Sequence, residues 1–160
     1  MTETTTAPVS TDVAVLDTAT DSAVAQEIRN LATNNVAFYS TIVGDKFEDR
    51  VATIEAMTNS LPIKENINKT INLVNVIVQS VPMADQVTGE IKDQPRIILL
   101  DADGTAYHAI SGGLWRSVQN ILGILPHPST WPAPLPLHIV SVKGRQGDFY
   151  TAKMGSAPKK

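Results

Sequence analysis

The sequence predicts a mainly β domain of five strands, with a single helix between the third and the fourth and a disordered N-terminal tail. Two observations carry this. From residue 71 onward, Val- and Ile-rich runs alternate with Gly and Asp turns. Only one stretch there, Leu114, Val118, Ile121, Leu122 and Leu125, repeats at helical spacing. The 160 residues suit one domain better than two. At 42% apolar and 18% charged, the chain can bury a core.

The elements follow in order. Residues 1–22 are Thr-, Ala- and Asp-rich without an aromatic, so they bury too little to offset the cost of ordering and read as disordered. A short helix is expected over 22–32, and the apolar patch Phe38, Tyr39, Ile42, Val43 and Phe47 is expected to dock on the domain. Residues 48–59 read equally as a helix, through Val51, Ile54 and Met57, or as an edge strand. Strands are expected at 71–83, 91–100 and 105–110. Pro95 points to an edge position or a bulge in the second, and Asp101-Ala102-Asp103-Gly104 forms the turn to the third. Ser111 is placed to cap the helix, and Pro126-His127-Pro128 ends it. A rigid loop with five prolines fills 126–136, and strands at 137–143 and 148–154 complete the domain. That is the order of a five-stranded Greek-key barrel, the OB-fold, and other small α+β folds share it. The expected organisation is an acidic, largely disordered extension over 1–47, an OB-like domain over 48–154 and a short basic tail over 155–160.

Composition narrows function further. With no cysteine there is no disulfide, no zinc ribbon and no thiol nucleophile. No apolar run reaches membrane-spanning length, and no signal peptide is legible, so a cytoplasmic protein without a membrane partner is expected. The net charge of −3 is unevenly placed. Residues 1–30 hold five acids against one base, whereas residues 92–160 hold eight bases against four acids. Such asymmetry hints at nucleic acid.

Asp101-Ala102-Asp103-Gly104-Thr105 matches the nucleophile motif of haloacid-dehalogenase-like phosphatases. That chemistry needs a downstream Ser/Thr, a Lys and further acids for magnesium, and Asp148 is the only later acid, so a hairpin turn explains the residues better. His108, His127 and His138 are too widely spaced for a local metal site. No catalytic residue, metal or cofactor is expected.

Five of the eight aromatics, Tyr107, Trp115, Trp131, Phe149 and Tyr150, lie in the basic half. Single-strand binders pair a positive groove with rings that stack on bases. In an OB-fold the binding surface is strands two and three together with the 1–2 and 4–5 loops. This selects Arg96, Lys143, Arg145 and Lys153 for phosphates, and Tyr107, Trp131 and Tyr150 for stacking, with His108 beside them.

The segments Ala84–Glu90, Arg96–Gly104, Tyr107–Ser111 and Trp131–Leu135 together resemble the small single-stranded-DNA-binding proteins of phages and mobile elements of Gram-positive bacteria, over about Arg50–Met154. The resemblance implies an OB-like fold and sequence-independent coating of replicating DNA. The partner expected is single-stranded DNA. The acidic front reads as a plain tail, with competition for the groove or contact with replication proteins as alternatives. A small-barrel protein-interaction or virion module is the other functional class.

Overall fold

The computed structural model describes residues 38–145, 147–156 and 158. The tail and the short helix expected before residue 38 lie outside them.

Seven strands form one mixed sheet: β1 (Phe38–Ser40), β2 (Leu61–Pro62), β3 (Thr70–Ala84), β4 (Ile91–Asp101), β5 (Ala106–Ile110), β6 (Leu135–Gly144) and β7 (Gly147–Met154). Two helices accompany them, α1 (Phe47–Asn59) and α2 (Gly112–Ile124). The order across the sheet is β2-β5-β4-β3-β6-β7, with β1 also on β3. All pairs are antiparallel except β2 with β5. The five expected strands are β3 to β7, each within two residues of its expected ends. The expectation of five strands and one helix needs correction, because two short strands and α1 are added. The sheet is curled into a half-barrel that fits an OB-like fold, and β2 and β7 end it without pairing to each other.

A bulge phases the longest strand. β3 slips one residue against β4 between Leu73 and Asn75. Side chains alternate along a strand, so without the slip Ile71 and Leu73 would face away from Val76 and Val78. With it, all four enter one core with Ile97, Leu99, Leu114, Val118 and Leu122. We call this side of the sheet inner. On the outer side Ile77, Ile98 and Ala106 pack against Ala56 of α1, with Ile42 and Met57 around them. The centre of the sheet is thus covered on both sides.

The docking patch is divided. Tyr39 and Ile42 pack on the two cores, and the Thr41 hydroxyl accepts from Val76 N at 2.8 Å. Val43 and Phe47 stay exposed.

α2 starts at Ser111, whose hydroxyl accepts from Leu114 N, and buries Leu114, Val118 and Leu122 as one stripe. It also covers the free edge of β7. Ser111 Oγ accepts from Tyr150 N at 3.1 Å and donates to Tyr150 O at 3.2 Å, and Ser117 Oγ accepts from Ala152 N at 3.1 Å. Outward backbone groups that would otherwise invite a foreign strand are satisfied by two serines. The approach is close at Gly113, where a Cβ would lie 2.5 Å from Tyr150 O and 2.6 Å from Phe149 Cδ2. Gly113→Ala is expected to destabilise by about 1–3 kcal/mol through overpacking, offset by at most about 1 kcal/mol of helix propensity. A lower urea midpoint at unchanged slope checks it.

Beyond the pairing of β1 and β5, β3 and β4 continue without a further strand among the described residues, as a two-stranded arm over residues 80–95 with its tip at 85–90. At the tip, Asp85 Oδ1 accepts from Val87 N and Thr88 N, and Gly89 takes φ +71°, which favours glycine. Asp85 N donates to Glu90 O, so odd residues of β3 turn their backbone groups toward β4 and even ones outward. The nitrogen of Pro82 therefore points to the free outer edge of β3. By the same register, Pro95 faces the side of β4 that β5 has already left. The edge position expected for Pro95 is found. Both prolines lack a donor where a new strand would seek one.

Among the described residues, no helix is long and apolar enough to cross a membrane.

Candidate functional site

The β6–β7 hairpin brings three of the selected residues together. Lys143 sits on β6 directly before the turn, Arg145 in the turn, and Tyr150 on β7. Lys143 pairs with Asp148 and Ser141 with Tyr150, so Lys143 and Tyr150 share the face that carries Leu137 and Ile139 further along. Lys143 and Arg145 are exposed, and among the described residues no ion pair engages either. The Tyr150 ring is half-buried against the core, while Ser111 holds its backbone. These are free cations beside a positioned ring.

Sequence reasoning set Phe149 aside, yet its ring belongs to this hairpin. It lies over Gly144, where a Cβ would sit 3.3 Å from Cδ1, and against Gly113. It stays 40% exposed. The signal available in the sequence was the pair of glycines at turn and helix start, which leave room for a ring.

The other selected residues lie on the opposite face of the hairpin or outside it. Lys153 pairs with His138 on the opposite face from Lys143. Its side chain is exposed, and no ion pair engages it among the described residues. Trp131 is half-buried on the loop after α2, its Nε1 donating to Pro126 O at 2.7 Å, and packs on the core.

Tyr107 is a correction: it is 0% exposed on the inner side of β5, so no base can reach its ring. The OB-fold binding surface on strands two and three points to Tyr107, but its side chain faces inward and the core closes over it. Its hydroxyl accepts a hydrogen bond from Lys69 Nζ at 2.6 Å. That hydrogen bond raises the Lys69 pKa above its ordinary value.

Arg96 and His108 lie together on the outer face, braced by the end of α1. Arg96 donates from Nη1 to Met57 O and Gln79 Oε1, both at 3.2 Å, and from Nη2 to Ser60 Oγ at 3.0 Å. His108 Nδ1 lies 2.9 Å from Ser60 Oγ and 3.1 Å from Ser60 O. The guanidinium is occupied in fastening α1 to the sheet, so a phosphate would have to displace these acceptors. Burial, and then the Arg96 charge, lower the His108 pKa. The folded protein thus disfavours the proton, the unfolded chain binds more of it, and stability rises with pH up to the ordinary histidine range. Urea midpoints are expected to fall as pH drops from about 7 toward 5. In His108→Gln the fall is shallower, and the remainder includes His127, which burial shifts the same way.

Asp101-Ala102-Asp103-Gly104 closes the β4–β5 hairpin. Gly104 N donates to Asp101 O at 2.9 Å, Thr105 N donates to Asp103 Oδ1 at 2.8 Å, and Gly104 takes φ +88°. The turn accounts for the motif.

A family model described as "Phage Single-stranded DNA-binding protein" matches residues 30–155. Comparison with curated proteins yields no match, and neither does comparison with solved structures.

Proposed function

Because this chain belongs to the phage single-stranded DNA-binding protein family, we propose that it coats and protects unpaired DNA during phage DNA replication through the β6–β7 hairpin. The family match carries the nucleic-acid class. The hairpin supplies the chemistry: exposed Lys143 and Arg145 for phosphates, Tyr150 for bases on the Lys143 face, and Phe149 at the turn on the opposite face, which it shares with Lys153. Every base has a π-face, so stacking holds a strand without reading its sequence, at roughly 1–3 kcal/mol per base. Duplex DNA keeps those faces stacked internally and offers phosphates and groove edges, neither of which a stacking ring uses. The reading therefore requires a preference for single strands together with a steep salt dependence. Lys153 lies on β7 of the same hairpin but on the face opposite Lys143, Trp131 lies on the loop after α2, and Arg96 and His108 are engaged at the end of α1.

The test is titration of the full chain with a fluorescent oligothymidine and with a duplex of equal length, at two salt concentrations. Tighter binding of the oligothymidine, weakened by salt, is expected. Equal binding of the two forms, or none, overturns the reading and favours a protein-interaction module.

A further inference from the structure

We propose that α1 is a docking surface for α1 of a second copy of this chain, the two helices lying side by side and parallel. An amphipathic helix ordinarily turns its apolar stripe to its own sheet. α1 does the reverse: it buries Thr53 and Ala56 there, while Phe47 is 77% exposed and Ile54 63% exposed. With half-buried Val51 and exposed Thr58, these two recur at spacings of four, three and four, the d-a-d-a pattern of a coiled-coil seam. At about 100° per residue the seam lies roughly on the opposite side of the helix from Thr53 and Ala56. Two paired copies would therefore carry their sheets on opposite sides of the helix pair, clear of one another.

The charges beside the seam select the occupant. Arg50 takes the g position on one flank and Glu55 the e position on the other, and both are exposed. Within the helix neither has an opposite charge three or four residues away, and no ion pair engages either among the described residues. In a parallel pair, a g residue meets the e residue five positions on in the other helix. Arg50 of each copy thus meets Glu55 of the other, twice over by the two-fold axis. In an antiparallel pair each flank would meet its own kind, Arg50 against Arg50 and Glu55 against Glu55, which is disfavoured. Glu48, also at e, would answer position 43, where uncharged Val43 precedes the helix. β-branched Val51 and Thr58 at the a positions suit two strands. Three apolar side chains and a threonine fall short of the roughly 800 Å² per partner that stable interfaces bury. The pairing therefore needs concentrated protein, or copies held close together. Closeness on one DNA strand rests on the function proposed above, whereas the pairing itself does not.

The chain has no cysteine, so an introduced one reports cleanly. In full-length Ile54→Cys the new thiol sits at a d position, which meets itself across the two-fold axis. Under mild oxidation at high protein concentration it is expected to form a disulfide dimer. Ala52→Cys, exposed on the same helix but off the seam, is expected to form far less. Adding Arg50→Glu to Ile54→Cys turns two attractions into two repulsions, so the same yield is expected to need on the order of tenfold more protein. Adding Glu55→Arg as well is expected to restore it. The pairing is overturned by absence of the Ile54→Cys dimer, by equal yield from Ala52→Cys, by an Arg50→Glu that changes nothing, or by failure of Glu55→Arg to restore the yield. On an oligothymidine holding two copies, the yield at low protein concentration is expected to exceed that on one holding a single copy. Equal yields from a chain that binds both overturn pairing along a strand. If the chain binds no DNA, the two yields are equal while the concentrated-protein dimer still forms. That result fails the proposed function and leaves the pairing standing.

Discussion

Lys143→Ala with Arg145→Ala is expected to remove most single-strand affinity while leaving the fold intact. Both side chains are exposed and without an ion-pair partner among the described residues, so their loss costs little stability. On DNA each is a charge-assisted contact of about 1.5 kcal/mol, which makes the combined loss on the order of a hundredfold. The salt dependence is the sharper readout. Each phosphate neutralised on a single strand contributes roughly 0.7 to the logarithmic slope, so the double variant should flatten it by about 1.4. Oligothymidine titrations at several salt concentrations measure both. An unchanged slope would move the phosphate contacts off this hairpin.

The second large effect falls on stability. Tyr107→Ala is expected to cost about 3–5 kcal/mol, because a fully buried ring leaves a cavity at the junction of β5, β4 and α2. Tyr107→Phe loses only the hydrogen bond from Lys69, about 1 kcal/mol, and keeps full oligonucleotide affinity. Urea unfolding and oligothymidine titration of the same preparations separate the two roles. A Tyr107→Ala chain that unfolds like the parent but binds oligothymidine poorly would restore the ring to the binding surface.

Tyr107 also marks where sequence reasoning stopped. The strands over 71–83, 91–100, 105–110, 137–143 and 148–154 were legible because β-branched runs between Gly and Asp turns are local signals. Alternation indicates a buried side only when the other side is wet. Here α1 covers the outer face and α2 the inner, so parity gave β5 no outward side. α1 itself was ambiguous because it leaves Phe47 and Ile54 exposed while burying Thr53 and Ala56, which blurs its apolar stripe. Arg96 looked like a phosphate contact because its acceptors, Met57 O and Ser60 Oγ, are 39 and 36 residues away in sequence. Lys143 and Arg145 were legible because a turn between two strands has few ways to hide a cation. The partnership of Phe149 with Gly113 was not, because it depends on the angle at which α2 crosses β7.

The prolines at positions 82 and 95 bear on solubility in a crowded cell. A protein stockpiled at high local density, with a long naked ribbon on every copy, is one mispairing away from fibrous precipitate. Each imino acid removes a rung on one side of that ribbon. Threonine at both sites would restore those rungs, and the altered protein is expected to gel or cloud on storage where the parent stays clear.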